Sequence, residues 1–492
     1  MSPLDIKRTD ALFVPDPERV ITKPYLPGDE LFPDGHSRIQ HVVKRILAMS
    51  DDAVAATLGL VDELFADRHR DLAAAFDEGY RTVADRIPDS DALSAERKML
   101  VGSYFTHEYS VESAALTNPS MVPHPDQSGL GSGDTRFVMS LRAIGEGHIS
   151  SIEFRSGVID SSSNVIIDAP TNHLSKPTRR SPIYDKRAFA TKLTEIGAMN
   201  ALADGALARL SDQFTMDQLE AGLADVDLPD DRWSTDLSAQ TIRTIHWLAS
   251  SNYETTFDER SVVSDRVIYP VGPTESHGME DARFVRFTHD DETVRYYATY
   301  TAFDGFKILP QLIETADFVS FRISTLNGAR AENKGMALFP RMIGGRYAAL
   351  SRNDNENNYL MFSDHIRDWN ETEKIQVPDR PWELMQIGNC GSPLETEAGW
   401  LVITHGVGPM RQYSLGAILL DLSDPGHVIG HLKSPLLSPN AAERNGYVPN
   451  VVYSCGSMIH GNQLVLPYGF SDIATRIALV PLDDLLSELV ET

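Results

Sequence analysis

Gly399-Trp400-Leu401-Val402-Ile403-Thr404-His405 reads as a turn glycine followed by a short apolar strand that closes on a polar side chain. The same arrangement runs from Glu292-Thr293-Val294 to Tyr300, from Gly345-Arg346-Tyr347 to Arg352, and from Gly461-Asn462-Gln463 to Tyr468. The closing residues of these four runs stand 52, 53 and 63 positions apart, and an earlier copy runs from Thr135 to Arg142. Roughly 40 to 50 residues holding several short strands is the period of a propeller blade. Five such units predict a mainly β fold, a five-bladed β-propeller, with a Greek-key sandwich as the competing architecture. In a propeller, strands running toward the central channel bring their terminal side chains together. That geometry predicts convergence of Arg142, Tyr300, Arg352, His405 and Tyr468.

Outside these units the texture is helical. The first 35 residues are Pro- and Asp-rich without periodicity and read as an extended arm. Ile39, Val42, Val43, Ile46 and Leu47 then recur at helical spacing. Ser50 can cap a second helix carrying Val54, Leu58, Val61, Leu64 and Phe65, and Leu72, Phe76, Tyr80 and Val83 mark a third. Short β-like runs begin after Tyr104, so residues 1–109 form an N-terminal arm and helical region, and residues 110–492 the propeller. Within the latter, the helical period returns between Asp185 and Ser251, at Phe189, Leu193 and Ile196, and again at Ile242, Ile245 and Leu248. Between these, Thr215 and Gln218 have the spacing of a capping box ahead of Leu219 and Leu223. This segment, about 185–251, reads as a helical insertion. The apolar stripes of both helical parts suit a homo-oligomer interface or ordinary core.

The composition narrows the function classes. Of the 492 residues 42% are apolar and 23% charged, the profile of a folded globular chain. Seventy acidic against 44 basic residues leave a net charge of −26, which disfavours nucleic acid or an anionic membrane as the main partner. Two cysteines, Cys390 and Cys455, cannot build a disulfide framework, which favours a reducing, cytoplasmic location. No apolar run reaches the ~18 residues of a membrane span, and no basic-then-apolar leader precedes the arm.

Two groups of residues carry candidate chemistry. Gly278-Met279-Glu280-Asp281-Ala282-Arg283 sets two adjacent carboxylates and an arginine before the strand-like Phe284-Val285-Arg286-Phe287. One reading is a capped turn in which Glu280 pairs with Arg283. The other makes Asp281 a general acid at a channel mouth, its pKa raised by partial burial and by Glu280. The second group is cationic. Arg136 and Arg142 share one face of a strand by the period of two, and Arg155 follows on the next strand. Lys334 precedes the apolar Met336-Ala337-Leu338-Phe339, and Arg352 ends a strand. Singly, each suits a surface or ion-paired side chain. Converging, they would make an anion site, since Arg and Lys hold phosphate by charge-assisted hydrogen bonds. His405 suits either this site or a satisfied strand end. Walker-type, His-Glu-x-x-His and Gly-x-Ser-x-Gly patterns are absent.

Taken in order, seven segments resemble glycoside hydrolase family 130, the β-mannoside phosphorylases and β-mannosidases, over residues 110 to 485. They are Asn118-Pro119, the Gly278–Arg283 motif, Asn333-Lys334-Gly335 with the apolar run to Pro340, Gly391-Ser392-Pro393, Thr404-His405-Gly406-Val407, Tyr413-Ser414-Leu415-Gly416, and Pro467-Tyr468-Gly469-Phe470-Ser471-Asp472. The resemblance implies a five-bladed propeller with its active site in the central channel. It also implies inverting phosphorolysis, in which inorganic phosphate attacks the anomeric carbon of a β-mannoside and releases α-D-mannose 1-phosphate. Asp281 matches the family's general acid, which acts through the 3-hydroxyl of the mannose. Lys334, Arg352, His405 and Tyr413 match expected phosphate ligands, with Arg142 and Arg155 as additions. Asn118, Glu280 and Asp472 would hold the sugar. Nothing implies a metal or an organic cofactor; phosphate is the co-substrate and a β-mannoside oligosaccharide the substrate.

An inverting hydrolase needs a second carboxylate as base, ~6.5 to 9.5 Å from the acid, to deprotonate water. Phosphate is already an anionic nucleophile and needs only a cationic cradle. Retention of Lys334, Arg352 and His405 therefore favours phosphorolysis. The alternatives are a β-mannoside hydrolase using Glu280, Glu356 or Glu443 as base, and a non-catalytic sugar-binding propeller.

Overall fold

Pairing between strands adjacent in sequence dominates the computed structural model, which describes residues 4–491 except 29, 88, 172 and 227–231. The chain divides into two compact units, one of residues 1–15, 114–170 and 177–492, the other of residues 16–113 and 171–176.

In the larger unit five antiparallel meanders follow one another among the described residues. The first contains Ala115–Pro123, Thr135–Ile144 and Ser150–Ile159. The second contains Gly278–Thr288, Val294–Phe303, Ile308–Thr315 and Ser320–Thr325, and a single parallel bridge, Gly278 to Ser150, links it to the first. The third runs from Ala337–Leu338 to Glu371–Gln376, and the fourth from Gln386–Asn389 to Val428–His431. The fifth joins Gln463–Phe470 and Ala474–Pro481 to Lys7–Phe13, so part of the arm is a strand. Strand-on-strand hairpins of this kind are what β-branched and aromatic runs separated by Gly, Asn and Asp turns dictate. The fold is mainly β with helical extensions.

Successive meanders share their apolar layers. Phe154, Phe284, Phe318 and Phe321 form one aromatic cluster, and Leu401, Leu415, Leu464, Leu466 and Val480 another. Two residues expected to converge with the others sit inside these layers. Tyr300 is 2% exposed and donates to Glu275 at 2.5 Å; Tyr468 is fully buried and donates to Glu443 at 2.7 Å. A phenol flanked by core residues with one buried carboxylate to satisfy its hydroxyl has no reason to leave for a channel.

Among the described residues the helical insertion holds four helices, Lys186–Glu195, Ala201–Ala208, Met216–Ala224 and Arg232–Ser250. The Thr215 capping box forms as the spacing requires, with Gln218 accepting from the Thr215 N–H at 2.9 Å. Ala201–Ala208 carries no long apolar stripe, which is why periodicity passes over it.

In the smaller unit, helices Arg38–Leu47, Asp51–Phe65 and Leu72–Arg81 occur where the spacing places them. A fourth, Ala95–Tyr104, starts at the Ser94 cap and was not marked by periodicity, because its buried residues Leu100, Val101 and Gly102 are consecutive. It crosses Leu72–Arg81 so closely that a Cβ on Gly102 would lie 1.8 Å from the Phe76 carbonyl oxygen. Among the described residues no helix is long and apolar enough to cross a membrane.

Candidate functional site

Two β-bulges meet at the centre of the site. The strand Gly278–Thr288 loses register against its neighbour between Glu280 and Arg283, and Ala115–Pro123 does so between Thr117 and Ser120. A bulge inserts an unpaired residue and re-aims its side chain. Here the re-aimed residues are Asp281 (φ 56°) and Asn118 (φ 50°), both in the left-handed region that Asp and Asn tolerate better than other side chains. The Asn118 amide donates to Asp281 Oδ1 at 2.5 Å. Strained backbone concentrated at two touching polar residues is a mark of a functional centre. Asp472 completes the pattern. It and Ser471 are left-handed at the middle of a turn closed by the Ile473 N–H on the Phe470 carbonyl.

Charge pairing around these carboxylates differs from the sequence expectation. Glu280 does not pair with Arg283; it bridges Arg142, at 2.8 Å, and Lys334, in a shorter contact. Arg283 is 1% exposed, binds Asp281 Oδ2 at 3.4 Å, and donates to the Tyr453 hydroxyl and the Cys390 carbonyl at 2.9 Å each. Arg142 also approaches Asp281, at 3.9 Å. These cations correct the expected pKa of Asp281. Burial alone would raise it, but Arg283, then Arg142 and Lys334, with the Asn118 amide, outweigh burial and hold it at about 2. Asp472, within electrostatic reach of Arg142 and Asp281, moves the other way, raised chiefly by burial.

The remaining cation stands apart. Arg352, just beyond the strand Tyr347–Ser351, is 7% exposed, and among the described residues no carboxylate pairs with it. Its Nη1 donates to His405 Nε2 at 3.1 Å, and its Nε has no partner. Burial, then the Arg352 and Arg283 guanidiniums, holds His405 far below the ordinary imidazole range, so the ring is neutral. Tyr413 lies nearly parallel to it, ring centres 6.1 Å apart at 7°. Room for this arrangement comes from Gly388, directly across the ladder from His405. A Cβ there would lie 2.1 Å from Arg352 Cδ and 2.6 Å from His405 Cε1. Gly388→Ala is therefore expected to raise the KM for an anionic co-substrate at least several-fold while leaving the melting temperature within a few degrees of wild type. Steady-state kinetics with differential scanning fluorimetry checks this.

Of the residues singled out in the sequence, Asn118, Arg142, Glu280, Asp281 and Lys334 are joined by direct contacts. Asp472 is near them, and Arg352, His405 and Tyr413 form an adjoining group. Arg155 faces the other side of its sheet. It pairs with Glu153 on its own strand at 3.1 Å. In the hairpin register Arg142 faces Ile152 while Arg155 faces Met139, so the two arginines occupy opposite faces of the sheet. Arg283, Cys390 and Tyr453 are contacts that sequence reasoning did not assign. Only Arg283 carried a signal, its place in the Gly278 motif.

A family model described as β-1,4-mannooligosaccharide phosphorylase, glycoside hydrolase family 130, matches residues 240–491, just over half of the chain. A 1,2-β-oligomannan phosphorylase of Thermoanaerobacter sp. (strain X514) is 33% identical over 218 residues, covering 43% of this chain and 71% of that protein. This chain belongs to glycoside hydrolase family 130. A β-1,2-mannobiose phosphorylase of Listeria innocua is 31% identical over 230 residues, 45% of this chain and 63% of that protein. The solved structure of the β-1,2-mannobiose phosphorylase from Listeria innocua, complexed with β-1,2-mannobiose, superposes with a TM-score of 0.46 at 19% identity, over 77% of this chain and 93% of that one. Asn118 and Arg142 precede the segment matched to family 130, and the first meander carries them onto it.

Proposed function

We propose that this family 130 chain is an inverting β-mannoside phosphorylase that transfers a mannosyl group from a manno-oligosaccharide to inorganic phosphate. The observation that carries the reading is Arg352, a buried guanidinium without a carboxylate partner among the described residues. Taking such a charge out of water costs several kcal/mol unless an anion compensates it. A phosphate beside Arg352, with Lys334 and Tyr413 at its flank and Arg142 within reach of the sugar side, supplies that anion. The five meanders are read as blades of a propeller whose channel holds the site. Residues 1–109 are read as an arm and helical region preceding it, and the two free cysteines favour a cytoplasmic location.

The reaction balances without a base. A phosphate oxygen of HPO4²⁻ forms the new bond to the anomeric carbon from the face opposite the glycosidic oxygen, and the glycosidic C–O bond breaks. The proton that phosphate carried ends on the departing oxygen. Asp281 is ionised at neutral pH in the resting site and takes up the proton that HPO4²⁻ gives up. It then serves as the acid for the leaving group, while Asn118 and Asp472 orient the mannose. A hydrolase would need a carboxylate free to deprotonate water. Glu280 is clamped between Arg142 and Lys334, and Glu443 accepts from Arg8 and Tyr468. Glu356 is exposed, with its own N–H turned onto Asp354.

The test is incubation with β-1,2- and β-1,4-linked manno-oligosaccharides, with and without phosphate, assaying mannose 1-phosphate and free mannose separately. Mannose 1-phosphate is expected only when phosphate is present. Free mannose at the same rate in both arms would overturn the proposal.

A further inference from the structure

We infer that the helix Asp51–Phe65 of the smaller unit is a self-association surface, on which a second copy of this chain docks antiparallel about a two-fold axis near Val61. The unit precedes the segment matched to family 130. Of the fifteen residues of this helix, Val54 alone is buried. Its apolar stripe is wider than that burial accounts for. At ~100° per residue, Leu60 and Leu64 stand about 120° round the helix from the inward-facing Val54 and Leu58, with Thr57 and Val61 between. Leu60 is 60% and Leu64 68% exposed, so they form an apolar ridge one turn long in water.

Beside the ridge lies a cleft of about 360 Å³ walled by Val61, Phe65, Leu72, Phe76 and Tyr104. The polar groups of its wall already have partners in their own chain. Thr57, Ser103 and Thr106 donate to the carbonyls of Ala53, Leu100 and Gly102, at 2.8, 2.8 and 2.9 Å. Glu108 accepts from Arg68 at 2.9 Å and lies 2.8 Å from His69 Nε2. A wall whose hydrogen bonds are made suits an apolar occupant better than a polar ligand. Leu60 and Leu64 are such side chains, on the same helix as one wall of the cleft. A surface with ridge and cleft side by side is self-complementary under two-fold symmetry, each copy's leucines entering the other's cleft.

Charge selects the direction. Asp51 and Asp52 open the helix, and Arg68 and Arg70 follow its end. A two-fold axis parallel to the helix would set acid beside acid and base beside base. An axis perpendicular to it sets the acidic end of each copy beside the basic end of the other and aligns the helix dipoles favourably. With that axis near Val61, Asp52 and Arg70 lie nine positions on either side of it. The net charge of −26 repels copies at a distance, so a locally complementary face is what brings them together.

The test is analytical ultracentrifugation of the whole chain over a concentration series, with thermal melts of each variant. The wild type is expected to dimerise with a Kd of about 10 µM or tighter. Leu60→Glu combined with Leu64→Glu, both at exposed positions, should keep the melting temperature within a few degrees and raise the Kd about a hundredfold or more. Asp52→Arg or Arg70→Glu alone should weaken the dimer about tenfold, because symmetry counts each change twice. The two charge changes together should restore the Kd to within about threefold of wild type. A wild type still monomeric at about 100 µM, a leucine variant that dimerises as wild type does, or a combined charge swap no tighter than either single change would each overturn the inference. So would a monomeric wild type that binds anilinonaphthalene sulfonate and loses that binding in Phe65→Glu, an outcome that gives the cleft to a small apolar ligand. Should the leucine variant not fold, the charge swaps decide alone.

Discussion

Asp281→Asn is expected to fold and to lose turnover by about a thousandfold, within the ~10²- to 10⁴-fold that a positioned general acid contributes. Folding should survive because asparagine accepts the left-handed backbone at this position (φ 56°) and keeps an oxygen for the Asn118 amide. Stability should still fall. Lowering the carboxyl from 3.8 to about 2 makes the ionised form worth about 2 kcal/mol to the folded state. The sign follows from proton uptake. Between these two values the unfolded chain binds more protons, so this contribution is complete above about pH 4 and disappears as pH falls through about 2. Thermal denaturation at pH 7 and at pH 3 should therefore show a smaller pH effect in Asp281→Asn than in wild type. Undiminished turnover in the variant would remove Asp281 from the chemistry.

Arg352→Met should give effects of opposite sign in two assays. Losing two charge-assisted hydrogen bonds to phosphate, worth about 1.5 kcal/mol or more each, raises the phosphate KM by about a hundredfold or more. Yet the melting temperature without phosphate should hold or rise, because the variant no longer buries a charge without a carboxylate partner, which outweighs the donor lost to His405 Nε2. Activity sites are commonly where stability is given up. Phosphate should in turn raise the melting temperature of the wild type and not of the variant. A variant that melts several degrees lower with an unaltered phosphate KM would make Arg352 a structural residue.

Particular residues show how far the sequence could be read. The turn-strand period located the meanders because alternation and turn glycines are local signals. The helical stripes at Ile39–Leu47 and Val54–Phe65 were readable for the same reason. Arg142 and Arg155 mark the limit. Their relative facing depends on hairpin register, which the short helical turn at Glu146–His148 sets and the alternation of either strand alone does not. The pKa of Asp281 was misjudged because its two nearest cations, Arg283 and Arg142, act through a bulge that turns the side chain out of its strand's alternation. Tyr300 and Tyr468 ended promising strands but point into cores, each toward a glutamate placed there by a distant loop. Arg352 and His405, 53 positions apart in sequence, come into direct contact, a pairing that the shared period of the strands places but does not orient.

The pairing of Lys7–Phe13 with Ala474–Pro481 ties folding to the pace of synthesis. The earlier strand must wait for a partner made several hundred residues later, on the order of half a minute or longer at ~5–20 residues per second. The fifth meander is thus completed after the other four, and its closure carries the loop entropy of all the chain between its strands. During that wait Lys7, Arg8 and Asp10 keep the unpaired strand charged, which discourages it from joining the edge of a neighbouring nascent molecule.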